Sequence, residues 1–133
     1  MDNKNILFVA DDQAFVDGGR KALESKGYRV ATARSVEEGY AKLGQDRPGL
    51  IILDMILNKR ADGICFARKL RRSAAFSAYA DIPILMVTGL REQADVTFPT
   101  PTKNPYRIPV DELLEKPVTP EALLERAEGL LRA

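Results

Sequence analysis

Four consecutive aliphatic residues, Leu50-Ile51-Ile52-Leu53, run straight into Asp54 behind a Pro48-Gly49 break. Few folds can use such a run. A half-exposed strand alternates apolar and polar residues, whereas an unbroken apolar strand is covered on both faces, as in a parallel sheet layered between helices. Asp54 then stands where a core strand reaches the surface. In open α/β sheets ligands bind at the carboxyl edge of the strands, and what the other strands deliver to that edge decides the chemistry.

A second buried-type run, Ile6-Leu7-Phe8-Val9-Ala10, ends in Asp11-Asp12. From Ala14 to Lys26 the apolar residues Ala14, Phe15, Ala22 and Leu23 recur at roughly helical spacing, and Gly27 supplies the stop. Tyr28 to Ala33 is short and alternating, which predicts an outer strand. Ser35 with Glu38 three residues on forms a capping-box pattern for a helix reaching about Leu43-Gly44, with Val36, Tyr40 and Leu43 on one face. After the Asp54 strand and a loop over Met55 to Ala61, Asp62-Gly63 opens a helix through Arg71-Arg72. Ser73 to Asp81 is a small-residue connection. Ile82 to Val87 is a fourth strand, with its proline near the start where strands tolerate one, and it delivers Thr88-Gly89.

Residues 98 to 109 then hold four prolines, a density that no ordinary helix survives. Regularity returns with a short strand over Val110 to Glu115, followed by Lys116-Pro117. Thr119 caps a last helix with Pro120 at its first position, Glu121 and Glu125 early, and an inner stripe of Leu123, Leu124, Ala127, Leu130 and Leu131. Strand and helix alternate about five times with one helix degraded. That pattern predicts an α/β fold, a parallel sheet with helices on both faces, and right-handed crossovers that bring every strand end to one edge.

Composition excludes several functions. The 133 residues suit one domain. With 20 basic and 19 acidic residues and a net charge of +1, no basic stripe with interleaved aromatics predicts nucleic acid as a direct partner. There is no histidine, which removes histidine catalysis, histidine metal ligation and a phosphohistidine carrier role. The single Cys65 rules out an intramolecular disulfide and fits a reducing compartment; within a helix it is expected to pack as a small hydrophobe. No apolar run has the length of a membrane span and the N-terminus lacks signal-peptide form, so the expected location is cytoplasmic with no membrane contact. Arg68, Lys69, Arg71 and Arg72 are expected to form a solvated helix face.

The predicted strand ends carry Asp11 and Asp12, Asp54, Thr88 and Lys116. Each is ordinary alone, since acidic pairs cap helices and Thr-Gly or Lys-Pro close strands. Their joint placement is informative. Three converging carboxylates need a cation, and hard oxygen ligands at a wet site suit Mg²⁺. A carboxylate neutralised in this way is a plausible nucleophile toward phosphorus, giving an aspartyl phosphate. An ammonium and a hydroxyl then suit the oxygens of a transferred phosphoryl group.

The runs ending in Asp11-Asp12, Asp54-Met55 and Thr88-Gly89, with Asp62-Gly63 and Glu115-Lys116-Pro117, resemble the receiver domain of two-component response regulators across nearly the whole chain. The resemblance implies a flavodoxin-like doubly wound sheet of five strands, order 2-1-3-4-5, as a single receiver without an output domain. It implies that Asp54 accepts a phosphoryl group from a histidine kinase or phosphotransfer protein, that Asp11, Asp12, Asp54 and the Ile56 backbone carbonyl hold Mg²⁺, and that Thr88 and Lys116 contact phosphoryl oxygens. The Lys116–Pro117 peptide would be cis, and altered binding of a downstream protein would carry the signal. This makes the chain a signalling domain rather than an enzyme.

The sequence departs from the family's pattern in four places. Leu57-Asn58 stands for the usual Leu-Pro, with Asp62-Gly63 one residue late. The connection from Ser73 to Asp81 is long, the proline-rich segment replaces the fourth helix, and Leu113 occupies the switch position that normally pairs an aromatic with Thr88. Phe98, Tyr106 and Ile108 of the proline-rich segment would then be available to a partner. Ile56 and Leu90 flank the acceptor with aliphatic groups unable to orient a water, which predicts slow phosphoryl loss. The alternatives are a phosphorylation-independent interaction module using the altered face and a metal-dependent aspartyl phosphatase. The latter would want an acidic residue at Ile56. Flavin binding lacks a Ser/Thr/Gly-rich phosphate loop after the first strand.

Overall fold

The computed structural model describes residues 4–57, 62–89 and 110–132. Five parallel strands, β1 (Asn5–Val9), β2 (Arg29–Ala33), β3 (Leu50–Asp54), β4 (Ile84–Thr88) and β5 (Glu112–Glu115), lie in the order β2-β1-β3-β4-β5. The order reverses direction between β1 and β3, so a switch point opens between the carboxyl ends of those two strands. The predicted α/β fold and strand order are observed.

The sheet separates two apolar layers by simple alternation. Leu7, Val9, Ile51, Leu53, Ile84 and Met86 face one cluster with Leu43 of α2 (Val36–Gln45) and Phe66 of α3 (Asp62–Arg72). Ile6, Phe8, Leu50, Ile52, Leu85 and Val87 face the other, with Val16 and Leu23 of α1 (Gln13–Glu24) and Leu123 and Ala127 of α4 (Pro120–Arg132). All five residues of β3 are buried, as the unbroken run requires. Each of its four aliphatic side chains contributes about 1.5–3 kcal/mol by leaving water, an upper bound because the unfolded chain already hides part of its surface.

Local signals set the helix boundaries. Asp12 caps α1 by accepting from Phe15 N, Ser35 caps α2 by accepting from Glu38 N, and Thr119 caps α4 by accepting from Ala122 N. Gly27 ends the first helical unit at φ 90°, a conformation that costs a residue without a side chain little. Several boundaries and faces differ from expectation. Ala14 is exposed, whereas Leu23 is buried as expected, and α1 buries Val16 and Gly19 beside it. β4 starts at Ile84 rather than Ile82, and β5 at Glu112 rather than Val110. The connection after α3 contains a 3-10 helix, Ala74–Tyr79, capped by Ser73 and unannounced by any periodicity in its small residues.

Two further expectations are corrected. Cys65 is exposed: α3 buries Gly63, Phe66, Ala67 and Leu70, and position 65 falls off that stripe. Arg71 is not part of a solvated face. Its guanidinium donates to the carbonyls of Ala80 and Ile82 and pairs with Asp111 at 2.7 Å, tying α3 to the start of β4 and to the residue before β5. Asp111 also accepts from Ile84 N at 2.7 Å, so one carboxylate replaces a missing backbone partner at the head of β4. No helix among the described residues is long and apolar enough to cross a membrane.

Candidate functional site

The backbone ladder delivers the site residues with little freedom. Asp54 pairs with Val87 across the β3–β4 boundary, and Thr88 pairs with Glu115 across the next. The ladder continues past the strands, with Met55 N donating to Val87 O at 2.9 Å and Lys116 N to Thr88 O at 2.7 Å. Residues 62 apart in sequence therefore meet. Lys116 Nζ lies 3.0 Å from Asp54 Oδ2, while Asp54 Oδ1 accepts from Ile56 N at 3.2 Å. The Lys116–Pro117 peptide is cis, as the resemblance implied.

Asp54 is buried, with 3% of its surface exposed. Burial pushes its carboxyl above the usual carboxylate range, with the charge of Asp11 adding to the effect; the Lys116 ammonium and the Ile56 N–H pull the other way without cancelling it. A carboxylate that resists ionisation gains most from any cation or phosphoryl chemistry that removes its negative charge. Thr88 is likewise buried, and its Oγ1 has no hydrogen-bond partner among the described residues. An orphaned buried hydroxyl is costly and uncommon, and it marks a place where a polar group belongs.

Asp12 spends one carboxylate oxygen on the α1 cap, and among the described residues no three acidic, histidine or cysteine groups form a ready metal cage. The donor set nonetheless fits Mg²⁺. That ion keeps several waters and needs only one or two carboxylates together with substrate oxygens, and Asp11 lies close enough to Asp54 to repel it.

Leu113 is half-buried on β5 opposite Met86 and packs against the α2–α3 layer, without the ring that would make it an aromatic switch. Phe98, Tyr106 and Ile108, proposed for partner contact, lie outside the described residues, as do Leu90, Asn58 and the whole proline-rich segment.

Two residues near the acceptor are not legible as site residues in the sequence. Gly63 packs its bare α-carbon onto the end of β3: a Cβ there would stand 2.1 Å from Asp54 O and 2.9 Å from the Met55 Cα. Its N–H donates to Met55 O at 3.1 Å. The signals available were the Asp62-Gly63 pair matched to the receiver pattern and a glycine in the first turn of a helix, where other residues are better formers. Phe15, read as an apolar helix residue, places its ring 5.1 Å below the Lys116 ammonium. No sequence pattern pointed there.

A doubly wound parallel sheet that gathers acidic residues, a threonine and a lysine at its switch point defines the class of α/β domains whose chemistry sits at one strand edge. Within that class, the chain belongs to the response regulator receiver domain family, whose model matches residues 6–128. It is 33% identical over 130 residues to the alkaline phosphatase synthesis transcriptional regulatory protein PhoP of Bacillus subtilis, covering 98% of this chain and 49% of that protein. To the DNA-binding dual master transcriptional regulator RpaA of Synechocystis it is 36% identical over 127 residues, covering 96% and 48%. A CheY-like response regulator receiver domain protein from Methanospirillum hungatei superposes with a TM-score of 0.74 at 28% identity, over 98% of this chain and 94% of that one. The chain spans about half the length of the curated relatives it matches. It is a receiver domain of two-component signalling.

Proposed function

We propose that Asp54 is the phosphoacceptor of this receiver and that a histidine kinase or histidine phosphotransfer protein is its donor. The observation that carries the reading is a buried carboxylate held 3.0 Å from a lysine ammonium, next to a strand end whose threonine hydroxyl lacks a partner among the described residues. One Asp54 carboxylate oxygen attacks phosphorus as the bond from phosphorus to the donor's imidazole nitrogen breaks, and the electron pair of that bond leaves with the imidazole. Mg²⁺ held by Asp11, Asp12, Asp54 and the Ile56 carbonyl would neutralise charge on the phosphoryl oxygens. Lys116 moves its ammonium from the Asp54 carboxylate to a phosphoryl oxygen, and the Thr88 hydroxyl donates to another, which satisfies the orphaned group. Water attack on phosphorus later returns phosphate and the free carboxylate.

The charge added at the edge and the turn of Thr88 would change binding of a downstream protein. By likeness to the transcriptional regulators it matches, the output we propose is control of transcription, with nucleic acid contacted by segments other than this receiver.

The test is intact mass after incubation with Mg²⁺ and acetyl phosphate. The unaltered chain is expected to gain about 80 Da, the mass of a single aspartyl phosphate, and Asp54→Ala to gain nothing while keeping its circular dichroism spectrum. An equal gain in Asp54→Ala would refute the assignment.

A further inference from the structure

Lys116 is held by two partners of different kinds. Its Nζ is 3.0 Å from Asp54 Oδ2 and 5.1 Å from the centroid of the Phe15 ring. We propose that Phe15 is a positioning residue for phosphoryl transfer, its ring face keeping the Lys116 ammonium at the acceptor edge while the oxygen partner of that ammonium changes. The inference rests on the phosphoacceptor reading of Asp54.

The physical need is clear from the lysine itself. Its stem is long and flexible, and its carboxylate partner is the group that is modified. A second carboxylate beside Lys116 would compete for the same N–H donors and deepen the acidic repulsion around Asp54. A ring face attracts the cation through its quadrupole and offers no competing lone pair, so the ammonium hydrogens turned away from the ring stay free for oxygens. The ring also shields one side of the ammonium from water, which strengthens its pull on Asp54.

Phe15 is itself well fixed. Phe8, fully buried in the sheet, meets its ring edge-on at 5.4 Å and 82°. The Phe15 N–H donates to Asp12 Oδ1 at 3.2 Å, so the ring and one of the acidic pair share the first turn of α1. One turn on, Gly19 lets α1 settle close: a Cβ there would come within 2.7 Å of Leu123 Cδ2 and 2.8 Å of Phe8 Cε2. The helix cannot slide inward and its ring cannot drop away.

The experiment compares the unaltered chain with Phe15→Leu, Phe15→Tyr, and chains carrying difluoro- or pentafluorophenylalanine at position 15. Phosphorylation by acetyl phosphate with Mg²⁺ is followed by intact mass. Leucine keeps the packing on Phe8 but has no quadrupole, and should lower the maximal rate roughly fivefold, the size expected of a partly desolvated cation–π contact, with the apparent KM for acetyl phosphate little changed. Tyrosine should restore the rate, and fluorination should lower it stepwise although the ring's shape is kept. In the unphosphorylated protein, the ring-current shift of the Lys116 ε-methylene protons should vanish in Phe15→Leu. Equal rates for phenylalanine and leucine, or a flat fluorine series, would overturn the inference. Absence of any adduct on the unaltered chain would instead overturn the phosphoacceptor reading, and this inference with it.

Discussion

Replacing Gly63 with alanine tests how tightly α3 is seated against the acceptor strand. The added Cβ would lie 2.1 Å from the Asp54 carbonyl oxygen, where real Cβ contacts essentially never fall under 3.0 Å. Most of an ångström must open between two pieces of backbone, and neither can rotate away as a side chain would. The Gly63 N–H to Met55 O bond, now 3.1 Å, stretches with it. Overpacking of this kind costs about 1–3 kcal/mol and the strained hydrogen bond about 1 more, against a gain of about 1 from alanine's better helix propensity. The net loss of about 1–3 kcal/mol should lower the melting temperature by roughly 3–12 °C for a chain of this size. The displaced β3 end should also slow acetyl phosphate labelling of Asp54. Gly129→Ala in α4 is the control, because nothing lies within 4 Å of the place its Cβ would take; it should gain about 0.5–1 kcal/mol. Calorimetry on both variants decides the matter: a Gly63→Ala protein that melts as high as the unaltered one would refute the steric argument.

Three other outcomes are expected. Asp54 has a raised carboxyl pKa in the folded state, so the fold binds its proton more readily than the unfolded chain does. Stability from this group is present below the ordinary value of 3.8 and is lost as pH rises through the folded value. Asp54→Asn should therefore melt higher than the unaltered chain at neutral pH without divalent cation, with the difference shrinking toward acid; a lower melting point at pH 7 would contradict it. Arg71→Lys keeps the charge but loses the fork that reaches two carbonyls and Asp111 at once, and should cost about 1–3 kcal/mol in urea unfolding. An unchanged midpoint would mean that these contacts are matched by water. Ile56→Asn places an amide beside the acceptor that can orient a water, and should speed decay of the mass adduct; an unchanged decay would remove the aliphatic flank as the cause of slow loss.

The order of elements was legible in the sequence because local physics decides it. The unbroken run at Leu50–Leu53 can only be a strand covered on both faces, and Asp12, Ser35 and Thr119 announce helix starts through side-chain oxygens that reach backbone N–H groups within three residues. Given right-handed crossovers, the strand ends bearing Asp11, Asp54, Thr88 and Lys116 then had to share one edge.

Tertiary structure alone decided what those groups touch. Arg71 looked like one of four equivalent surface cations, yet its partners arrive from residues 80, 82 and 111, and no local pattern distinguishes it from Arg68 or Arg72. Cys65 is exposed because the buried stripe of α3 passes one residue to its side, a phase that a short, charge-rich helix does not declare. The Phe15–Lys116 contact depends on how close α1 lies to the sheet, which Gly19 permits and which no spacing in the sequence records. Periodicity and capping are properties of neighbouring residues, whereas partners and distances at the site come from packing between segments far apart in the chain.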